Sequence, residues 1–430
     1  MGNVTNFLEK VAYNVINHCR REAIAYVDGK EQPVIVYVPG GDNKYPSFWL
    51  RDAAMECASG VIPLTEMITM IDIIFSYQND VKVRRFENGL IVHPWAFPDH
   101  INLKGIGEVV PGAVFFPGTY DPSDNQGAGR FGNLNVADSP YEVVELAYLI
   151  STRMNNEPEI VKFLNKPINR MPRIERMDLS FSSVNIDSET GLHFNQKDRW
   201  AAESFHDVLI KMGFVLLSSC LRFRATKRMA EFYKWLGEDK KVKQYITMSK
   251  QISENISHRF ILNDGWLMVA TEVDKQADVW GTSLAIYEGI LKDEEEGKAC
   301  QAMLKEYLSG TVTWNGYLRG TPTTYDAVPG KQVWEDDKDD DPFRKYGIYI
   351  DGGYWPQPVG WYVYALSKVD TDAARKLTTE FIDHTRRFLE EGSPFEWISP
   401  SIPLLETSGL GRWYGPSVAL PLSALKRLGW

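Results

Sequence analysis

Tyr45-Pro46-Ser47-Phe48-Trp49-Leu50-Arg51-Asp52-Ala53-Ala54-Met55-Glu56-Cys57-Ala58 sets two aromatics against an arginine and a carboxylate where a helix begins. Ala53, Ala54, Met55, Cys57 and Ala58 read as helix, and Pro46 fixes the chain ahead of it. Asp52 therefore falls in a first helical turn, at a rim. Aromatic faces beside an Arg and Asp pair can grip the apolar face of a sugar ring and hydrogen-bond its hydroxyls. The competing reading is that Arg51 and Asp52 pair with neighbours and cap the helix. The tract gains weight from similar tracts farther along the chain.

Outward from this tract, helical periodicity dominates. Phe7, Val11, Val15, Ile16 and Cys19 recur at helical spacing and predict a helix over the first 25 residues, followed by a short strand at 33–38. Further helices are expected at 64–77, 141–153, 241–260, 280–291, 295–308, 355–367, 371–391 and 417–428. Residues 203–236 read as two helices in near continuity, with Phe205, Val208, Leu209, Met212, Val215 and Leu216 on one face and Gly237 ending the run. A small hairpin is expected at 179–194, turning at Asp187-Ser188-Glu189-Thr190-Gly191. About a dozen helices paired by turns, with little β alternation, predict a ring of helical hairpins and not a sheet-centred fold. No fixed period marks a solenoid. Two long connections interrupt the pattern, at 84–138 and 309–353, and the aromatic content of the first favours an ordered functional loop.

Composition narrows the class. The 430 residues are 44% hydrophobic and 24% charged, which is ample for a folded core, and a single domain spanning the chain is the expectation. A net charge of -10 argues against a nucleic-acid partner, since phosphate binding wants clustered Lys and Arg. No apolar run reaches the roughly 18 residues of a membrane span. No signal peptide is legible at Met1-Gly2-Asn3-Val4-Thr5, so a cytoplasmic chain is favoured over an exported one. Cys19, Cys57, Cys220 and Cys300 are scattered without metal-ligand spacing and read as buried thiols. The acidic run Glu335-Asp336-Asp337-Lys338-Asp339-Asp340-Asp341 lacks the ligand order and glycine of a calcium loop and reads as solvated. Neither a cofactor nor a metal is expected, and the chain is expected to be a monomer or a weak homo-oligomer.

Cleavage of a glycosidic bond usually needs two carboxyl groups, one to protonate the leaving oxygen and one to activate water or attack carbon. Carboxylates set among aromatics occur at Trp49 to Asp52, at Trp200-Ala201-Ala202-Glu203-Ser204-Phe205-His206-Asp207, at Asp278-Val279-Trp280 and at Phe395-Glu396-Trp397. Asp207, beside apolar Phe205, suits a general acid, because partial burial raises a carboxyl pKa, and Glu203 and His206 compete for the role. Glu396, between two aromatics in a proline-bounded turn, is the preferred base. Gly352-Gly353-Tyr354-Trp355-Pro356 and Trp413-Tyr414-Gly415 add aromatic platforms next to glycines that let backbone approach a ligand.

Taken together, Phe48 to Asp52, Phe205-His206-Asp207, Gly352 to Pro356, Phe395 to Trp397 and Trp413 to Gly415 make the chain resemble the six-hairpin glycosidases, the (α/α)6-toroid enzymes that include glucoamylase, trehalase and processing α-glucosidase relatives. The resemblance spans most of the chain. It departs from the trehalase pattern at Phe205-His206, where a Gly-Trp pair is usual, and near Glu396, where a glycine run is absent. It implies a mainly α toroid of helical hairpins with short β-hairpin insertions, an inverting, exo-acting hydrolase with a carbohydrate substrate, Asp207 as acid and Glu396 as base. Sugar contacts are then expected from Phe48, Trp49, Arg51, Asp52, Trp95, His206, Asp278, Trp280, Tyr354, Trp355, Trp397 and Trp413. Two other readings stand beside it: a sugar epimerase or lyase on the same toroid, using His93, His100 or His206, and a binding protein that has lost one carboxylate.

Overall fold

The computed structural model describes residues 2–129, 131–207, 209–273, 275–322, 349–350, 352–400 and 411–430. The acidic run at 335–341, and Val208 and Asp351, lie outside them. Among the described residues there are thirteen α-helices: α1 (Gly2–Cys19), α2 (Leu50–Cys57), α3 (Leu64–Ser76), α4 (Ser139–Ser151), α5 (Glu157–Leu164), α6 (Arg173–Ser180), α7 (Leu216–Trp235), α8 (Asp239–Phe260), α9 (Val279–Tyr287), α10 (Asp293–Ser309), α11 (Val359–Ser367), α12 (Thr371–Arg387) and α13 (Gly415–Arg427). Strands are short and form pairs or triplets.

Six of these helices close a ring. α2 packs on α4, α4 on α7, α7 on α9, α9 on α11, α11 on α13, and α13 returns to α2. The others form an outer layer: α1 against α13, α3 against α4, α5 and α6 against α7 and α4, α8 against α7, and α10 and α12 against α11. Apart from α5 and α6, which are both outer, the chain alternates outer and inner helices, so each hairpin delivers one helix to the ring. Sequence explains the sorting. Every residue of α2 is buried, as is all of α9 except Tyr287, because an inner helix has neighbours all round. In contrast α8 buries only Tyr245, Ile252, Ile256 and Phe260, one stripe at helical spacing.

All six inner helices begin at the same end of the ring. Arg51 in the first turn of α2 pairs with Asp138, the N-cap of α4, and Asp52 accepts a hydrogen bond from Tyr414, the N-cap of α13. Phe205, ahead of α7, meets the rings of Trp280 at the start of α9, Trp355 just before α11, and Tyr414. The strand Phe48–Trp49 pairs with His100–Asn102, which pairs with Gly112–Val114, and this patch anchors the 84–138 connection over that end. Gly118 lies at φ 72° with the Phe131 ring 1.9 Å from where a Cβ would stand, so only glycine fits there.

Three features depart from the sequence reading. The first helix stops at Cys19, and Arg20–Val27 pairs with Lys30–Tyr37 in a hairpin whose turn residues Asp28 and Gly29 have φ of 50° and 82°. An Asp-Gly pair suits such a two-residue turn, and alternating burial along Arg20–Val27 is a strand pattern. The predicted continuous run at 203–236 begins as helix only at Leu216. Ahead of it are a 3-10 turn, Ser204–His206, and Gly213 at φ 82°, where a Cβ would stand 2.5 Å from the Thr271 hydroxyl. The hairpin expected at 179–194 is shorter: α6 runs to Ser180, and the Asp187 turn is flanked by the Ile186 to His193 bridge, with Asp187 N–H donating to Leu192 O and Phe194 N–H to Asn185 O. The four cysteines are buried, as expected.

Ring closure depends on close helix approach. A methyl at Gly360 on α11 would stand 2.6 Å from the Ala424 Cβ and 2.9 Å from the Pro421 Cα of α13. Neither neighbour can swing aside, so Gly360→Ala is expected to destabilise the fold by about 1 to 3 kcal/mol, measured by denaturant unfolding.

Candidate active site

The convergent helix starts surround a cavity of about 250 Å³. Its wall takes Lys44, Tyr45, Trp49, Arg51 and Asp52 from around the start of α2, Phe205 and Asp207 from ahead of α7, Tyr349 and Glu396 from the late connections, and Tyr414 from the start of α13. Thr119, Tyr120 and Phe131 of the 84–138 connection close one side.

Glu396 is buried, and its Oε2 accepts from the Tyr45 hydroxyl and lies 3.1 Å from Lys44 Nζ. Burial, then the Glu396 charge, pushes the Tyr45 phenol well up, so it remains a donor. The backbone fixes the same residue: Glu396 N–H donates to Gly411 O at 2.8 Å, and Gly411 has no room for a side chain, since a Cβ would meet Glu396 at 3.0 Å. Asp207 is half-buried, with the Tyr349 hydroxyl 3.5 Å from its Oδ1.

Below them lies a network of buried charge. Arg51 Nη1 stands 3.5 Å from Asp99 and 3.4 Å from Asp138, and its guanidinium carbon is 5.2 Å from the centre of the Phe205 ring. Burial opposes the guanidinium charge, but Asp138, Asp99, Asp52 and Asp207 outweigh it and hold Arg51 protonated. Asp99 accepts from His100 at 2.8 Å; burial works against its ionisation, yet His100 and Arg51 keep it below the usual carboxylate range. Asp52 differs. Burial pushes it up to about 6, with Glu396 and Asp99 adding repulsion against the pull of Arg51 and the 2.7 Å hydrogen bond from Tyr414.

A second network supports Asp207 from behind. Lys211 is buried and donates to Glu203 Oε1 and, at 2.8 Å, to His206 Nδ1. Glu203 Oε2 accepts the Ser218 N–H at 2.8 Å at the start of α7. Burial opposes the Glu203 charge, but Lys211 and Ser218 hold its pKa below the ordinary value. Burial, then Lys211, pushes the His206 imidazole well down, so it stays neutral. These contacts pin the turn that carries Asp207. Glu203 is thereby a structural anchor, away from the cavity wall.

Of the residues singled out in the sequence, Trp49, Arg51, Asp52, Asp207 and Glu396 share the cavity. Trp49 stacks on His100 and meets the edges of Tyr45 and Tyr120. The other expected sugar contacts do not line it. Phe48 faces the core, since strand alternation turns it away from Trp49. Trp280, Trp355 and Trp397 are buried behind the wall, Trp280 and Trp355 against Phe205 and Trp397 near Tyr349. Asp278 caps α9 by accepting the Gly281 N–H, and burial pushes its carboxyl up to about 7. Tyr354 packs with Trp314 and Arg319, Trp95 with Arg176, and Trp413 stacks on His18. Nor do His93, His100 and His206 line the cavity, which leaves the epimerase reading without its histidine pair there. The sequence reading missed Lys44, Tyr120, Phe131 and Tyr349, and passed over Tyr45 and Tyr414 inside tracts it had singled out.

No protein-family model matches the sequence, and no curated protein matches it. Solved structures do match. The GH63 mannosylglycerate hydrolase from Thermus thermophilus, in complex with Tris and D-glycerate, aligns with a TM-score of 0.57 at 13% identity, covering 97% of this chain and 99% of that one. The same enzyme in complex with glucose gives 0.55 at 13% identity over the same shares. An uncharacterized conserved protein from that organism gives 0.55, also at 13%. This chain has their six-hairpin toroid fold. At that identity the likeness is one of architecture, and the chemistry rests on the chain's own residues.

Removing the Lys211 charge strands Glu203 in the interior. Lys211→Met is expected to cost about 3 to 5 kcal/mol in denaturant unfolding, and Glu203→Gln in the same chain should recover part of that loss.

Proposed function

We propose that the chain is a glycoside hydrolase that removes a terminal sugar with inversion, Asp207 acting as general acid and Glu396 as general base. The observation that carries this reading is that two carboxyl groups from distant parts of the chain line one small cavity beside Trp49, Arg51 and Asp52. The structural neighbours support it: they include a hydrolase of mannosylglycerate, one complex holding glucose and another D-glycerate. A cavity of about 250 Å³ suits one sugar ring with a small aglycone better than the interior of a long glycan, which favours attack at a chain end.

In this mechanism Asp207 gives its proton to the glycosidic oxygen as that bond breaks. Glu396 takes a proton from a water that attacks the anomeric carbon from the opposite face, so configuration inverts. Two carboxyls roughly 6.5 to 9.5 Å apart leave room for that water. Tyr45 and Lys44 orient the base from one side. Trp49 offers an aromatic face to the ring, and Arg51 and Asp52 hold its hydroxyls. Phe205 and Phe131 narrow the access of bulk water beyond the attacking one.

A second reading draws on one observation, the Asp52 carboxyl pushed up to about 6. It makes Asp52 the proton donor. The two readings give opposite signs with pH. If Asp52 binds hydroxyls as a carboxylate, KM falls as pH rises through about 6, and Asp52→Asn raises KM and removes that inflection. If it donates the proton, kcat falls as pH rises through the same value and Asp52→Asn abolishes turnover.

The expected outcome on a panel of aryl glycosides is turnover by the wild type and a loss in kcat of about 10²- to 10⁴-fold in Asp207→Asn and in Glu396→Gln. Proton NMR of the first-formed sugar is expected to show the anomer opposite to that of the substrate. Retention of configuration would replace the inverting mechanism, and an inactive wild type on every glycoside would favour the binding-only alternative.

A further inference from the structure

The inner ring also encloses a second space, behind the front pocket. That cavity measures about 290 Å³, and all six contribute to its wall: Met55 on α2, Tyr148 on α4, Arg228 on α7, Tyr287 on α9, Trp361 on α11 and Ser423 on α13. It plays no part in the function proposed for the front pocket.

Charge in this rear cavity is arranged in compensating pairs. On α4, Asp138, Glu142 and Glu145 fall at helical spacing on one face. Asp138 meets Arg51 at the front, and Glu142 accepts two hydrogen bonds from Arg224, both at 3.0 Å. Glu145 lies 3.0 Å from Arg228 Nε and 3.5 Å from Arg224 Nε. The Arg224 side chain is buried, and its Nε has no hydrogen-bond partner of acceptable geometry. Glu288 lies on the same wall. Aromatic faces accompany the charges: the Arg228 guanidinium sits 3.9 Å from the Tyr148 ring centre and that of Arg427 sits 4.3 Å from Tyr287, with Trp361 beside them.

A ring interior that served only to hold helices together would be filled to interior density with apolar side chains. This one leaves a space walled by guanidinium donors, carboxylate acceptors and aromatic faces. An anion would meet Glu145 and Glu288, and a cation would meet Arg224 and Arg228. A neutral ligand rich in hydroxyls meets neither penalty: carboxylates accept its hydroxyl protons, guanidinium groups donate to its oxygens, and Trp361 and Tyr148 cover its C–H faces. We propose that the rear cavity is a binding site for a neutral polyhydroxylated molecule of about one ring, a monosaccharide or cyclic polyol, separate from the front pocket.

Met55 provides a local reporter, since its side chain lines the rear cavity and, among the described residues, no methionine lines the front one. The test uses the full chain with 13C-methyl-labelled methionine, its Met55 signal assigned through Met55→Leu, and D-glucose, D-mannose, D-galactose and myo-inositol as probes. The expected result is a saturable shift of the Met55 signal with at least one probe, retained in Trp49→Ala. Ser423→Phe, which places a ring in the cavity from a half-buried position on α13, is expected to raise the Kd by about tenfold or more. Circular dichroism and thermal melting check that this variant folds, and Arg228→Met, which keeps packing on Tyr148, gives an independent reading of the same loss. The proposal is overturned if no probe shifts Met55, if only inorganic phosphate or D-glucuronate does so, or if the shift disappears in Trp49→Ala and survives in both rear-cavity variants. Failure of the rear site leaves aryl glycoside turnover untouched, so it is distinguishable from failure of the proposed front-pocket function.

Discussion

The guanidinium of Arg51 is the point from which the pocket end of this molecule is organised. It is buried in the first turn of α2 and faces carboxylates supplied by other parts of the chain: Asp99 from the 84–138 connection and Asp138 at the start of α4. An isolated buried charge of either sign would cost several kcal/mol, and here each makes the others tolerable. The pairing therefore fixes where the 84–138 connection lies and how α2 meets α4. Asp52 and Asp207 sit in the same field, which is why their setting cannot be understood from their own elements alone.

Six inner helices beginning at one end give the front pocket a particular electrostatic character. Helix starts present unpaired N–H groups and partial positive charge, which favour acidic groups nearby. The chain places Asp52, Asp138, Glu203 and Asp278 in those positions, and each is buried. Burial pulls in the other direction, so the outcome differs from site to site. Glu203, bound by Lys211 and by a helix N–H, lies below the ordinary pKa, whereas Asp278 with fewer partners is pushed up to about 7. A fold of this kind can set carboxyl groups at different protonation states within one small volume, as acid and base chemistry requires.

Much of this was legible in the sequence, for identifiable reasons. Outer helices such as α8 and α12 carry one apolar stripe and are read by periodicity. Inner helices are buried all round and carry no stripe, so their bounds are less legible: the helix expected at 280–291 ends at Tyr287, and the one expected at 355–367 begins at Val359. The region ahead of α7 failed because its apolar residues mimic a helix while Gly213 takes a backbone conformation that periodicity does not register. At the site, the conspicuous tryptophans misled. Trp280, Trp355 and Trp397 are too large to be spared from the interior, and tyrosines that combine a ring with a hydroxyl line the cavity instead. Lys44 and Tyr45 gave no signal of their own, because their meaning lies in Glu396, a contact that spacing along the chain cannot reveal.

That contact also has a bearing on how the molecule comes together. Tyr45 to Glu396 and Asp52 to Tyr414 join positions 351 and 362 residues apart in the chain. Few contacts in a protein of this size are less local, and the entropy of closing so long a loop must be met before any such contact contributes. Each helical hairpin can form from neighbouring residues, but the pocket exists only once the last hairpin has docked against the first. Loosening of α13 from α2 would separate Glu396 from Tyr45 and Asp52 from Tyr414 together while leaving the intervening hairpins intact. The front pocket is thus a property of the closed circle, present or absent as a whole.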